Sequence, residues 1–218
     1  MDLTEYIIND VKPQYLTSKI EELQLMLNHL TYSHIPIAND DGFIGVISEN
    51  DVYCFDSDKK IEAYQYAVEL FVVNTKTNWL DVLEAFAKNS TNIMPVVDQN
   101  NQYIGYYELN DVISLFSEMP FFLEAGAVLV VEKGIRDYSF SEITQIVESN
   151  NARVFGAFLS NVSNDLAQIT LKISHKGMTE IMQTFRRYGY NIISSHEGDA
   201  YIENLQERSA YLKRYLNI

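Results

Sequence analysis

A chain of 218 residues has room for one or two domains, and 47% hydrophobic against 21% charged residues describes a globular protein rather than a disordered one. No apolar run approaches the roughly 18 residues of a membrane span, no basic-then-apolar leader opens the sequence, and the single Cys54 cannot close an internal disulfide, so the expectation is a cytoplasmic protein with no membrane association. The net charge of −14 falls entirely within residues 1–124, which carry six Lys/Arg against twenty Asp/Glu, while residues 125–218 carry ten of each; nucleic-acid binding, which needs clustered cations, is not expected.

Taken in chain order, the sequence repeats itself. Residues 20–51, "IEELQLMLNHLTYSHIPIANDDGFIGVISEND", are echoed sixty residues on by "LDVLEAFAKNSTNIMPVVDQNNQYIGYYELND" at 80–111. Each copy begins with apolar residues at helical spacing, Ile20, Leu23, Leu27 and Leu30, then Leu80, Leu83, Phe86 and Ala87. A short strand around Pro36 or Pro95 follows, then a polar turn, a strand through Gly45 or Gly105, and a helix start. A short leading strand, "QYLT" or "ELFVV", precedes each copy. Repeats of this length mark units that bury their apolar faces against one another. The apolar stretch "SEMPFFLEAG" (117–126) is expected to pack rather than hang as a loose linker.

Beyond it the pattern changes. Strand "AVLVVE" (127–132), a helix over 139–150 with a Ser139–Glu142 capping box, two strands around "VSND", a helix closed by Gly189 and a last strand "YNIISSHE" give the order βαββαβ. Residues 201–218 read as a terminal amphipathic helix.

"HIPIANDDGFIGVISEND" and "IMPVVDQNNQYIGYYELND" resemble the CBS motif, in which an apolar-Pro-apolar strand turns into Gly-apolar-apolar-Ser/Thr-x-x-Asp. Two in tandem resemble a Bateman module over residues 1–118, with motif 1 at about 1–57 and motif 2 at about 68–118. After a connector at 119–125, the section from 126 to 218 is similar to an ACT-like domain. The whole order resembles the bacterial acetoin-utilisation regulatory proteins. The implied fold class is α+β, a tandem CBS pair of two β-α-β-β-α units followed by a ferredoxin-like βαββαβ domain. The implied function is a non-catalytic regulatory ligand sensor, dimeric, acting on a protein partner that the sequence does not name.

The resemblance gives ribose contacts to Asp51 and Asp111 and a phosphate or ribose contact to Ser48. It puts adenine in a slot lined by Ile35 and Pro36, or by Met94 and Pro95. Physical chemistry fits these roles: a carboxylate accepts hydrogen bonds from two vicinal hydroxyls, as in dinucleotide folds, and glycine in a strand admits a ligand or a neighbouring backbone. Ser-x-x-Asp at a helix start also reads as a cap that binds nothing. In the second copy Glu108 replaces the Ser/Thr and adds negative charge, and Asn50 and Asn110 stand where the family often has Lys or Arg. This acidity favours AMP or S-adenosylmethionine over ATP, with no cofactor required. A dimerising scaffold with degenerate pockets is the alternative.

Other candidates are weaker. Lys133 and Arg136 of "EKGIRDYS" could meet an effector carboxylate, but the loop has no Pro-Gly step, and a subunit-pairing role for this section is the stronger reading. His29, His34, His175 and His196 have no Cys partner at ligand spacing, so no metal site is expected. His34 could face the adenine slot or serve as a structural histidine. Trp79 reads as a core or inter-helix anchor and Cys54 as a buried small hydrophobe. No phosphate-binding, metalloprotease or nucleophile-elbow motif occurs.

Overall fold

The computed structural model describes residues 3–175 and 177–195, so the terminal segment at 201–218 and His196 lie outside the described residues. The chain forms two compact units, Met1–Ser117 and Glu118–Ile218.

The first unit contains the repeat as two matching halves. Half one runs β1 (Gln14–Tyr15), α1 (Ile20–Leu27), β2 (His34–Asn39), β3 (Gly42–Ser48) and α2 (Glu49–Cys54); half two runs β4 (Val73–Asn74), α3 (Trp79–Asn89), β5 (Ile93–Val97), β6 (Tyr103–Glu108) and α4 (Leu109–Ser117). Each half has a three-stranded sheet, β1-β2-β3 or β4-β5-β6, with the leading strand parallel and the hairpin antiparallel. The registers match: Ile37 faces Gly45 and Val96 faces Gly105, each followed by a bulge.

The helix faces follow from residue spacing. In α1, Ile20, Leu23 and Leu27 are buried and pack with Ile35, Ile37 and Ile47. The helix ends at Leu27, so Leu30 lies beyond it and packs beside Val11 and Tyr106 instead. In α3, Asn78 caps the first turn, accepting from the Leu80 and Asp81 amides. Its core-facing stripe is the buried Val82 and Phe86 with the partly buried Trp79 and Leu83, rather than the expected Leu80, Leu83, Phe86 and Ala87. Trp79 begins an equally good three-to-four spacing, and its indole meets Phe116 of α4 edge-on at 4.5 Å, the anchor expected of it. Cys54 corrects the expectation of burial: it ends the short α2 and is exposed.

In the second unit, β7 (Ala127–Gly134), α6 (Phe140–Ser149), β8 (Val154–Ser163), β9 (Leu166–Ile173), α7 (Met178–Arg187) and β10 (Asn191–Ser195) form an antiparallel sheet in the order β10-β7-β9-β8. This is the ferredoxin-like arrangement, so the fold is α+β throughout. Leu129, Val131, Ile169, Leu171, Ile181 and Phe185 belong to one core cluster. Gly189 takes φ 80° after α7, where the Tyr190 amide reaches the Phe185 carbonyl, so the left-handed cap is present. The capping box is only half formed. Ser139 Oγ accepts from the Glu142 amide, but the Glu142 carboxylate goes to Lys133 and the Ser139 amide to the Tyr190 hydroxyl. The apolar connector packs as expected: α5 (Pro120–Leu123) sets Phe121 over Gly156, and Lys172 Nζ donates to the Phe122 carbonyl.

Candidate functional site

The strand glycines admit backbone. The segment before each half crosses to the other one: Glu69 pairs with Val46 of β3, and Ile8 pairs with Tyr106 of β6. A Cβ on Gly45 would lie 2.4 Å from the Glu69 carbonyl oxygen, and one on Gly105 would lie 2.3 Å from that of Ile8. The two crossings create two corners related by the repeat, each bounded by a hairpin, a helix start and a crossing segment.

At corner one, Ser48 caps α2. Its Oγ accepts from the Asp51 amide at 3.1 Å and donates to Asp51 Oδ2 at 2.6 Å. The capping reading and an oriented carboxylate therefore coexist. Asp51 is half-buried, and its Oδ1 makes no hydrogen bond among the described residues. His34, 7% exposed, stands edge-on to Phe71 at 5.2 Å, with Nδ1 2.9 Å from Ser33 Oγ. Burial holds its pKa below the ordinary 6.5, while Glu69 and Asp51 pull it upward. The imidazole is therefore neutral at pH 7 and the corner's net charge is negative. Because the folded value is depressed, the unfolded chain binds more protons on acidification. Stability is thus expected to fall as pH drops through 6.5 toward the folded value. Urea midpoints at pH 7.5 and 5.5 should show a smaller difference in His34→Gln than in the natural chain.

Corner two holds different chemistry. Glu108 Oε1 accepts from the Tyr32 hydroxyl at 2.6 Å, the Tyr32 and Tyr106 hydroxyls are 2.7 Å apart, and Tyr106 donates to Asp10 Oδ1 at 2.6 Å. The two phenols carry two protons between them, so at most two of the three short contacts are hydrogen bonds at one time, and the four side chains form one connected chain. Burial, then donation to Glu108, pushes Tyr32 up to about 12; burial and Asp10 raise Tyr106 as well. Asp111 is half-buried, and its carboxylate makes no hydrogen bond among the described residues.

The expected slot residues need correction. Ile35 and Met94 are 1% and 0% exposed and pack in the two cores. Strand alternation puts them on the face opposite His34 and Pro36, or Ile93 and Pro95, and all four of these are themselves buried. Lys133 is also corrected: it pairs with Glu142 at 2.8 Å and lies over the Tyr190 ring, so an internal carboxylate already holds it. Arg136 is exposed and lines a cavity of 260 Å³ with Gly134, Ile135, Asp137 and Asp165. Sequence reasoning missed Glu69, Phe71, Asp10 and Tyr32. Glu69 and Phe71 fall in "ELFVV", which the leading-strand reading keeps with the second copy although Glu69 pairs with Val46 of the first.

His29 and His175 are exposed, and no group of three or more His, Cys, Asp or Glu side chains is arranged to hold a metal among the described residues. No helix among them is long and apolar enough to cross a membrane.

The CBS domain family model matches residues 15–55 and 67–118. An uncharacterized protein of Methanocaldococcus jannaschii is 24% identical over 112 residues, a match covering 51% of this chain and 42% of that relative's length. Among solved structures, a CBS domain pair/ACT domain protein from Thermotoga maritima is 20% identical, with 54% of this chain and 98% of that one covered at a TM-score of 0.49. The cystathionine beta-synthase pair domain of a Mg2+ transporter from Shewanella oneidensis is 15% identical, with 54% and 70% covered at 0.48. The paired halves of the first unit are a tandem CBS domain pair.

Proposed function

We propose that corner one binds an adenosine-containing ligand and that the chain is a non-catalytic, cytoplasmic regulatory sensor. The observation that carries this reading is Asp51: Ser48 fixes one carboxylate oxygen and leaves the other free. A ribose offers two adjacent hydroxyl donors to such a carboxylate. The ring of Phe71 borders the same corner, giving a purine an apolar surface. Ser48 and His34 complete the set, with Pro36 on the His34 face of β2.

Charge selects among adenosine compounds. Asp51 and Glu69 face a neutral His34, and none of the corner's named side chains is a cation at pH 7. A triphosphate meets repulsion there, AMP meets less, and the sulfonium of S-adenosylmethionine finds an attractive field. Isothermal titration of the three at pH 7.5 without magnesium should give AMP or S-adenosylmethionine the lowest Kd; tightest binding by ATP would overturn the order.

The second unit supplies pairing in this reading, as an ACT-like domain. Its edge strand β8 runs ten residues without a charge and exposes Phe158, Leu159 and Val162. Such an edge invites a second copy. Sedimentation equilibrium should report a dimer. The closed network at corner two favours a rival reading as a scaffold with degenerate pockets; it predicts that none of the three compounds raises the melting midpoint.

A further inference from the structure

We infer that the chain carries a built-in occupant of its second corner: Tyr32 stands where a ligand's hydroxyls would lie, so each chain takes one ligand and not two. This rests on the adenosine reading only for the identity of the probe. The two corners can be matched position by position through the strand registers. His34 faces Ser48, and Ile93 faces Glu108; Val46 bridges Glu69, and Tyr106 bridges Ile8. By that matching, the four members of the corner-two network, Asp10, Tyr32, Tyr106 and Glu108, correspond to Phe71, Thr91, Val46 and Ser48 at corner one. Each of these four positions contributes a larger polar side chain at corner two and a short or apolar one at corner one, while Asp51 and Asp111 are alike.

The difference is functional because of where Tyr32 goes. It precedes β2 of half one, yet its hydroxyl ends on Glu108 of half two. Its counterpart Thr91 is too short to make the reverse crossing; its hydroxyl turns back to the Ile93 carbonyl and to Ser33. Corner one is left open by a threonine and corner two is closed by a tyrosine. Glu108, which looked like a decayed motif residue, is the acceptor that seats the tyrosine. A ligand entering there would have to displace a phenol that donates to a carboxylate, and would then face the freed charge of Glu108.

The two corners also share one short run of chain. Tyr32 closes corner two, Ser33 bonds Asn92 across the halves through its amide and hydroxyl, and His34 lines corner one.

The test is a chain made symmetric, Tyr32→Thr with Glu108→Ser, titrated calorimetrically with AMP and S-adenosylmethionine beside the natural chain. The expected result is one site in the natural chain and two in the variant, with the gained site abolished by adding Asp111→Ala. Two sites in the natural chain, or no gained site in a variant that still melts cooperatively, would overturn the inference. Failure of the adenosine reading looks different: the natural chain binds nothing, while the variant gains a single site that depends on Asp111. Should the double variant not melt cooperatively, Tyr32→Thr alone, which removes the occupant, carries the same readout with S-adenosylmethionine, whose cation tolerates the Glu108 carboxylate.

Discussion

Gly105→Ala lowers the stability of the first unit by about 3 kcal/mol or more, and Gly45→Ala does the same. Both glycines sit at φ +151°, a conformation that L side chains rarely adopt. Such backbone strain costs about 1–3 kcal/mol, and overpacking costs about as much again. The clash cannot be relieved by a rotamer change, since the new methyl would meet backbone oxygens, those of Ile8 and Glu69. Moving either segment would break its two ladder hydrogen bonds, Ile8 with Tyr106 or Glu69 with Val46. Urea unfolding followed by circular dichroism should show a lower midpoint at an unchanged slope. A loss below about 1 kcal/mol would mean that the crossing segments yield freely and do not define the corners.

Asp51→Ala weakens binding of the adenosine ligand by about ten- to a hundredfold. A hydrogen bond to a charged group contributes roughly 1.5–3 kcal/mol, and about 1.4 kcal/mol is a factor of ten in Kd. Stability should barely change. The bond that caps α2 runs from the backbone amide of Asp51 to Ser48 Oγ, and it survives removal of the carboxylate. Binding and folding are therefore separable at this residue: calorimetry should register the loss while the melting midpoint stays nearly fixed. Unchanged affinity would reduce Asp51 to a partner for Ser48.

Much of this architecture could be read from the chain. The doubled phrase, with glycines sixty residues apart, corresponds to two hairpins of identical register, and the βαββαβ order beyond residue 126 corresponds to the antiparallel sheet. Local signals sufficed because alternation, turns and caps are short-range. The site was less legible. Ile35 and Met94 are apolar strand residues beside a proline, and nothing in the sequence says which strand face meets the core. Lys133 looks like a loop cation in the sequence because its partner, Glu142, lies across a turn. Glu69 and Phe71 were invisible as site residues because they belong to a segment that leaves its own half. Tyr32 lies outside the motif altogether, and only the fold brings it to Glu108.

The crossed segments constrain how the chain comes to life. Ile8 waits for Tyr106, about a hundred residues further on, and contacts so distant are slow to form. During synthesis the first half therefore leaves the ribosome with its opening strand unmatched. A fragment ending near residue 60 would lack Val68 and Glu69, the cover for Gly45, and would leave Ile7 and Ile8 without a seat. The repeat thus cannot be divided into two self-sufficient products. Whatever duplication made it also bound each copy to the other's completion.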